Sequence, residues 1–419
     1  MGYHFNENQS TMDMRAAAAS DSARILYAVG PGDAVGLFRD LRDGKLPAFQ
    51  ISLSFTEQFL DWCNESGAVA HLISSNNQPG IMQVGPHTVE NRPNSPLFFA
   101  GGIKHHIGTT MYGLSIVRTA LREKPDVVIA DSGTTHWIVF TLLALFRIPV
   151  IAVIYSGLWP MGFPPLRGRD KFLRKLDGFY FRHFAAATVA ISPECARQVE
   201  TVAGGRPKGP RTQFIPQYHP NFLSRVKPVP PYTERPFRIL FLGRVEENKG
   251  VYMILDMAGQ LEKEMPGQFA WKIVGSGSAE QELKQQVATR NLGSIVDIPG
   301  RFPDEATALA TFAWSHAMIA PTTSGFFEGL AMVAAESILA GRPAILSDVV
   351  PAWEVLGDAV IKCKTDSVDS FVENIRRLAT DPEYYAQHQR ATKDVQGPYY
   401  DRSGGLGNAL GRAISNLKN

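Results

Sequence analysis

Cysteine is scarce in this sequence, and its three cysteines form no cluster. Cys63, Cys195 and Cys363 lie far apart in 419 residues, with no CxxC motif and no cysteine–histidine spacing typical of a metal site. This distribution argues against a structural zinc site or a disulfide framework and favours a reducing compartment. We therefore expect a cytoplasmic protein.

A charge excess of either sign is also missing. The chain has 42 Lys and Arg against 40 Asp and Glu, and its hydrophobic fraction of 44% is ordinary for a globular protein. Without a strongly basic region, nucleic acid is not an expected partner. The first twenty residues lack the basic start and apolar core of a signal peptide, so we expect residues 1–20 to form a flexible tail.

The longest apolar stretch is interrupted. Residues 137–155, WIVFTLLALFRIPVIAVIY, are long enough to suggest a membrane-spanning helix. Arg147 and Pro149 divide the stretch into two pieces, however. We interpret the pieces as a buried helix followed by a β-branched strand.

Short apolar strands alternate with helical patterns along most of the chain. Such alternation, with Gly, Pro and Ser at the strand ends, is typical of parallel βαβ units, and two series of them predict an α/β protein with two doubly wound sheets. The predicted strands are residues 23–29, 125–130, 149–155 and 186–192 in the first series, and 237–243, 271–275, 294–300, 317–322 and 343–347 in the second.

A proline-rich segment separates the two series. Residues 223–236, LSRVKPVPPYTERP, contain four prolines, and we assign residues 226–236 to a linker. The expected Rossmann-like domains are then 21–225 and 237–394, and we expect residues 395–419 to pack back towards the first. Facing sheets of this kind enclose a central cleft, but dehydrogenases, transferases and binding proteins all use this layout.

The first strand of the second series leads directly into a charged turn. Gly243 permits a tight turn, and Arg244 and Lys249 lie beside it, followed by Gly250 and a helical pattern. Two cations next to a helix start are suited to binding a diphosphate. The alternative is a solvated turn in which Lys249 pairs with Glu246 or Glu247.

The next strand ends in a similar turn, IVGSGSAEQEL at residues 273–283. Gly275 and Gly277 would allow a ligand to approach the backbone closely, although a purely structural turn explains them equally well. The third glycine of a GxGxxG fingerprint is absent, which argues against a nicotinamide enzyme.

Two glutamates occupy a helical segment, FFEGLAMVAAESILAGRP at residues 326–343. Glu328 and Glu336 would lie about two turns apart, too far to share a proton but suited to binding two ends of a long polyhydroxylated ligand. Free N–H groups around Gly329 and Leu330 could bind a phosphate between them. The alternative is that the spacing of the two acids arises by chance.

Taken together, three of these features resemble the family 4 retaining glycosyltransferases, which have the GT-B fold. The matching residues are Gly243, Arg244, Lys249 and Gly250, the segment 273–277, and the segment 328–345. The resemblance covers most of residues 237–390 and extends faintly into the first domain through 125–130 and 186–192.

The resemblance implies transfer of a sugar from a UDP- or GDP-linked donor, with retention at the anomeric carbon and no required metal or other cofactor. It implies that Arg244 and Lys249 hold the donor diphosphate and that Glu328 contacts the sugar hydroxyls. It further implies that Glu336 contacts the ribose and that the backbone near Arg301 and Phe302 meets the base. Catalysis would then depend on Arg244, Lys249 and Glu328, without a protein nucleophile.

The sequence departs from the family pattern at two positions and in the spacing of the serine-containing loop PTTSGFF, residues 321–327. Ala331 stands where the family usually has a second glycine, and Tyr155 stands where it often has a histidine. Gly30 and Gly32, in VGPGDAVG at 29–36, fit the family's first-domain loop near the donor phosphates, with a plain turn as the alternative. Four further groups near the predicted cleft remain open as acceptor contacts: Asp131, His136, Ser156 and Trp159.

The acceptor is expected to be a saccharide or a lipid-linked molecule. Residues 167–184, RGRDKFLRKLDGFYFRHF, combine basic and aromatic side chains that could rest on the inner face of a membrane. The alternative is an ordinary helix whose apolar side chains face its own sheet. Two other functions are kept open: a nucleotide-sugar epimerase of GT-B-like fold, and a non-catalytic binding module.

Overall fold

The computed structural model describes residues 22–44, 54–165, 168–219 and 225–418. The tail predicted over residues 1–20 lies outside this range. Within the described residues the chain forms two mainly parallel sheets, each covered by helices, so the predicted α/β class and the two-sheet organisation are confirmed.

The first sheet has eight strands in the order β3-β4-β2-β1-β5-β6-β7-β8. All neighbours are parallel except β3 and β4, which form an antiparallel pair at one edge. Its central strands are buried along their whole length, as expected for a sheet covered on both faces. The strands are β1 Arg24–Pro31, β2 Val69–Ser75, β3 Gly80–Val84, β4 His87–Arg92, β5 Val127–Asp131, β6 Val150–Ile154, β7 Ala185–Ala190 and β8 Arg211–Gln213.

In the part of the chain that the structure describes, six α-helices accompany this sheet. The second begins with a reciprocal cap in which Ser54 and Glu57 bind each other's backbone, and it ends at Gly67 in a left-handed conformation. The helices are α1 Ala34–Arg42, α2 Phe55–Ser66, α3 Gly102–Glu123, α4 Thr141–Ala144, α5 Gly168–His183 and α6 Pro193–Val202.

The second sheet has six parallel strands in the order β11-β10-β9-β12-β13-β14. The strands are β9 Phe237–Leu242, β10 Phe269–Val274, β11 Val296–Gly300, β12 Ala317–Ala320, β13 Ala344–Ser347 and β14 Val360–Cys363. The accompanying helices are α7 Val251–Glu264, α8 Glu280–Thr289, α9 Glu305–Trp314, α10 Met332–Leu339, α11 Trp353–Leu356, α12 Val368–Thr380 and α13 Pro382–Asp394.

The last helix, α14 Leu406–Lys418, returns to the first sheet and packs against α2 and β7. The fit is close, because a Cβ atom on Gly407 would lie 2.2 Å from the carbonyl oxygen of Gln58. The three cysteines are buried and free. Among the described residues, no helix is both long enough and apolar enough to cross a membrane.

The buried helix predicted before β6 is confirmed in part. The chain forms one turn of 3-10 helix at Trp137–Phe140, continued by the four-residue α4 and then by a turn. Trp137 and Phe140 are buried, but Leu145 and Phe146 are 78% and 58% exposed. The strand part of that prediction is confirmed, since all five residues of β6 are buried.

Candidate active site

The charged turn after β9 is fixed by two glycines. Gly243 has φ +156°, and Gly250 has φ +74° as it leads into α7. A Cβ atom on Gly250 would lie 1.9 Å from the carbonyl oxygen of Pro321, just after β12. Glycine is therefore required at position 250, and its close packing brings Lys249 beside the segment that follows β12.

Lys249 and Glu328 form the centre of the candidate site. The Lys249 Nζ donates to Glu328 Oε1 at 2.5 Å, and the Thr322 hydroxyl donates to the same oxygen at 2.9 Å. Both charged side chains are largely buried, with 17% and 9% exposed. The alternative of a solvated pair between Lys249 and Glu246 or Glu247 was wrong, because Lys249 reaches across the turn to Glu328 instead.

Arg244 lies on the outer side of the same turn. Its guanidinium pairs with Glu246 at 3.2 Å, and its Cζ lies 5.4 Å from the centre of the Phe326 ring. The Lys249 Nζ lies 4.1 Å from the same centre. One aromatic ring therefore contacts both cations, which holds them on the same side of the site.

A cavity of about 180 Å³ opens beside these groups. It lies at the carboxyl ends of β9 and β12, where ligands bind in sheets of this type. Its lining combines the two cations and the acid with backbone and apolar side chains: Phe241, Leu242, Gly243, Arg244, Lys249, Ala320, Thr322, Glu328, Ala331, Met332 and Val333.

The segment carrying Glu328 also contacts the first sheet. The Gly157 amide donates to the carbonyl oxygen of Glu328 at 3.3 Å, and the Cys195 thiol lies 3.7 Å from the carbonyl oxygen of Gly329. A Cβ atom on Gly329 would lie 1.8 Å from the carbonyl oxygen of Tyr155. The two halves of the chain therefore meet at the residues next to the Glu328 carboxylate.

The helix after Glu328 begins later than its sequence pattern suggests. It starts at Met332, and Ala331 precedes it with φ +68°, a conformation that glycine adopts more readily. A glycine, which the resemblance implies at this position, would adopt this conformation without strain. Gly341 follows the end of this helix with φ +76°, a left-handed conformation that glycine favours after a helix.

Glu336 lies one helical turn after Met332 on α10 and outside the lining of the cavity. Burial raises the pKa of its carboxyl to about 7. Its charge acts on Tyr218, whose hydroxyl donates to the carbonyl oxygen of Met332 at 3.3 Å. Glu328 and Glu336 therefore occupy different environments, and only the first is paired with a cation of the charged turn.

Gly275 and Gly277 follow β10 and pack against the charged turn itself. Cβ atoms there would lie 1.7 Å from the carbonyl oxygen of Gly243 and 2.2 Å from that of Val245. Both glycines are thus required by the fold of the chain. Arg301, directly after β11, donates to the Ser276 hydroxyl of this turn at 2.5 Å, and Phe302 packs partly buried against the core.

The glycines at the carboxyl edge of the first sheet have more space. A Cβ atom on Gly30 would lie 3.8 Å from the nearest neighbouring atom, and one on Gly32 would have no neighbour within 4 Å. The Gly30 amide donates to Asp131 Oδ2 at 3.2 Å, and the Gly32 amide donates to the carbonyl oxygen of Ser75. Burial raises the pKa of Asp131 to about 8, so its carboxyl is mostly protonated at neutral pH.

Tyr155 points into the first sheet's core. Its hydroxyl lies 3.0 Å from that of Tyr27, and its ring packs against Phe55 and Phe214. His136 instead contacts His106, with 3.1 Å between ring nitrogens. Burial and the neighbouring His106 lower the pKa of His136, so its ring is neutral at pH 7.

Sequence reasoning missed three residues that shape the site. Thr322 and Phe326 both contact the central charges, and both lie in PTTSGFF at residues 321–327. The Gln198 side chain is buried and holds the backbone of Leu158 and Trp159 at 2.6 and 3.2 Å, next to Gly157. No local sequence signal marks Gln198, because its role depends on the fold around it.

The sequence around the candidate site matches a known protein family. The model of the family described as "Glycosyl transferases group 1" matches residues 226–395. That range contains the charged turn, both glutamates and the whole of the second sheet. Residues 226–395 form a group 1 glycosyltransferase domain.

The sequence of this glycosyltransferase domain also resembles a characterised enzyme. The glycogen synthase of Mycobacterium tuberculosis is 24% identical over 160 residues. The match covers 38% of this chain and 37% of the relative. The sequence similarity therefore spans little more than a third of either protein.

Solved structures match nearly the whole fold around the glycosyltransferase domain. Sucrose-phosphate synthase from Thermosynechococcus elongatus is 14% identical, covering 94% of this chain and 99% of that one, with a TM-score of 0.70. HepE from Anabaena, in complex with UDP and glucose, is 17% identical over 94% of this chain and 99% of its own, with a TM-score of 0.63. The predicted GT-B fold is thereby confirmed.

Proposed function

We propose that this chain is a retaining glycosyltransferase that moves a hexose from a nucleoside diphosphate sugar to a saccharide or lipid-linked acceptor. The observation that carries the proposal is the contact of Lys249 with Glu328 at 2.5 Å beside a cavity at the carboxyl edge of the group 1 domain. A cation for the diphosphate and an acid for the sugar then lie side by side.

The donor diphosphate would bind between Arg244 and Lys249. Their position around Phe326 supports this role, because the ring limits the movement of both cations. Charge that develops on the leaving diphosphate is stabilised best by cations already in place. The Glu328 carboxylate would accept hydrogen bonds from the sugar hydroxyls, and Glu336 would contact the ribose from the next turns of α10.

Transfer would take place on one face of the sugar. The bond from the anomeric carbon to the diphosphate oxygen breaks, and its electron pair stays with that oxygen. The acceptor hydroxyl oxygen bonds to the same face of the carbon, and its proton passes to the departing diphosphate. This route needs no protein nucleophile and gives retention of configuration.

UDP is the nucleotide to test first, and GDP second. The UDP and glucose of the HepE complex support a UDP-linked hexose donor. Thermal-shift measurements with UDP, GDP and ADP, and then with their sugars, would rank the bases, because a ligand that binds only the folded state raises its stability.

Lys249→Ala should reduce sugar transfer by roughly 10²- to 10³-fold, because one electrostatic contact to the leaving group is lost. Transfer is measured as nucleotide release with the preferred donor, and the anomeric configuration of the product by NMR. Lys263→Ala, an exposed lysine of α7, is the matched control and should retain full activity.

Lys249→Ala leaves the Glu328 carboxylate without its cation, so folding of the variant has to be checked. Circular dichroism should show that Lys249→Ala remains folded. Full activity of a folded Lys249→Ala would refute the proposed site. Conversion of the donor to an isomer without an acceptor would indicate an epimerase, and nucleotide binding without turnover would indicate a binding module.

A further inference from the structure

The solvent side of α3 is apolar where a surface helix normally carries polar residues. Ile103, Ile107, Met111 and Leu114 follow one stripe of the helix and are 76%, 47%, 50% and 44% exposed. The buried residues of α3, including Tyr112 and Ile116, lie on its other side. The exposed stripe therefore plays no part in the core of the first sheet.

Neighbouring segments extend this stripe. The turn Pro96–Ala100 packs against the start of α3 and exposes Phe99, and α4 also contacts α3. After α4, Leu145 and Phe146 are more than half exposed. We call the resulting surface the apolar face, and it consists of Phe99, Ile103, Ile107, Met111, Leu114, Leu142, Leu145 and Phe146.

Exposed apolar side chains of this size are concentrated in the first half of the chain. Among the described residues, the second half exposes only Phe327 and Val355 among its large apolar side chains. Clustering of eight such side chains on adjoining segments marks a binding surface rather than the scattered exposure found on any protein.

Basic side chains border the apolar face. Lys104 and Arg118 are exposed on α3, and Arg147 is exposed directly after Phe146. Acids of α3 and α5 are already engaged, since Glu123 contacts His71 and Arg122, and Asp177 pairs with Arg174. The border of the apolar face is therefore positively charged.

Helix α5 continues the basic border on the same side of the sheet. It packs on Trp137–Phe140, and that turn packs on α3. Its outer side exposes Lys171 and Lys175 together with Phe172 and Phe179, which are 60% and 49% exposed. The alternative of an ordinary helix whose apolar side chains face its own sheet holds for Tyr180 and Phe181, which are buried, but not for Phe172 and Phe179.

We propose that the apolar face and the outer side of α5 form a surface that binds anionic membranes. The apolar side chains would enter the boundary between headgroups and acyl chains, and the basic side chains would bind anionic headgroups. A second copy of this chain fits less well, because a symmetric contact would bring two basic borders together. The proposal does not depend on the proposed catalytic function.

The location of this surface suits access to the active-site cleft. In a parallel βαβ unit the helix starts at the carboxyl edge of the sheet, so Ile103 and Ile107 lie at the edge that faces the cleft. The His106 ring contacts His136, in the segment that follows β5 at this edge. If the proposed function holds, an acceptor anchored in the membrane would meet the enzyme at this edge.

The test is cosedimentation of the full chain with vesicles of phosphatidylcholine alone and of phosphatidylcholine with phosphatidylglycerol. Binding is expected only to the second, and it should weaken as salt increases. Leu145→Glu combined with Phe146→Glu should reduce binding at least tenfold. Lys171→Glu with Lys175→Glu should reduce it by a similar factor in low salt.

Matched controls carry the same changes away from the proposed surface. Ile81→Glu alters a side chain that is 70% exposed on the edge strand β3, and Lys263→Glu alters an exposed lysine of α7. Both should bind like the unchanged protein, and circular dichroism should show that all variants are folded.

Three results would overturn the proposal. They are absence of binding to either vesicle, equal loss in Ile81→Glu, and a dimer in light scattering that the Leu145→Glu, Phe146→Glu variant abolishes. The last would identify the apolar face as a contact between copies. No donor is needed in these measurements, so a negative result would leave the proposed sugar transfer unaffected.

Discussion

Glycines occupy the carboxyl edges of both sheets, but they are held in different ways. At the second sheet, Cβ atoms on Gly275, Gly277 and Gly250 would collide with carbonyl oxygens at 1.7 to 2.2 Å. At the first sheet, Gly30 and Gly32 would meet nothing closer than 3.8 Å. The fold itself explains these three glycines of the second edge, whereas Gly30 and Gly32 at the first edge leave room for a ligand.

The largest effect expected from this comparison is on stability at the second edge. Gly275→Ala should lower the free energy of unfolding by roughly 3 kcal/mol or more, because φ is +141° there and the new Cβ would collide with the carbonyl oxygen of Gly243. Urea denaturation measures the change.

The matched control is Gly259→Ala within α7, where a Cβ meets nothing within 4 Å. It should stabilise the protein by roughly 0.5–1 kcal/mol, because alanine favours a helix interior. Equal stability of the two variants would contradict the close contact between position 275 and the carbonyl oxygen of Gly243.

At the first edge we expect the opposite pattern, with activity affected and stability retained. Gly32→Ala should leave the free energy of unfolding within about 0.5 kcal/mol of the original value, since its Cβ has free space. If the donor or acceptor approaches this backbone closely, the added methyl group should displace it, and sugar transfer should fall about tenfold. A tenfold fall corresponds to an increase of about 1.4 kcal/mol in the activation free energy.

Kinetic assays at saturating donor compare Gly32→Ala with Gly293→Ala, whose Cβ also has free space. The control should change neither stability nor rate. Unchanged sugar transfer in Gly32→Ala would show that Gly32 only forms a turn and that no ligand approaches it closely.

A smaller difference concerns two carboxyls of raised pKa, one in each half of the chain. Asp131 in the first half has a pKa of about 8, and Glu336 in the second has one of about 7. Each holds its proton in the folded state over a range in which the unfolded chain has lost it. The free energy of unfolding should therefore fall as pH rises, by at most about 1.4 kcal/mol per pH unit for each group.

Asp131→Asn should flatten this fall up to about pH 8, and Glu336→Gln only up to about pH 7. Between pH 7 and 8 the two variants should thus differ, with the pH dependence retained in Glu336→Gln. Denaturation curves at pH 5, 6, 7 and 8 make the comparison. Identical pH profiles in both variants would contradict it.

The sequence predicts the second half of the fold better than the first. The five strands predicted for the second sheet all form, and the sixth, β14, has only four residues and little pattern of its own. In the first sheet the predictions omitted β2, β3, β4 and β8. In GIMQV and HTVENR the more buried and the more exposed residues alternate, because this hairpin lies at the sheet edge, and neither sequence has the apolar run of a fully buried strand.

Lys249 and Glu328 were both predicted from the sequence, but their direct contact was not. They are 79 positions apart, and their meeting depends on Gly250 packing against Pro321 and on the path of the chain from Thr322 to Phe326. Local patterns indicate which residues bear chemistry. The packing of one strand end against another decides which of them touch, and that information is distributed over both segments.

The contact of Gly157 with the carbonyl oxygen of Glu328 gives the molecule an internal reporter. A single amide of the first half is protected by the same segment whose carboxylate meets Lys249 in the second half. Separation of the halves breaks this hydrogen bond and exposes the Gly157 amide to water, so its deuterium uptake measures opening of the cleft without any label. A donor that draws the halves together should slow that uptake, and the degree of slowing gives the energetic coupling between closure and binding.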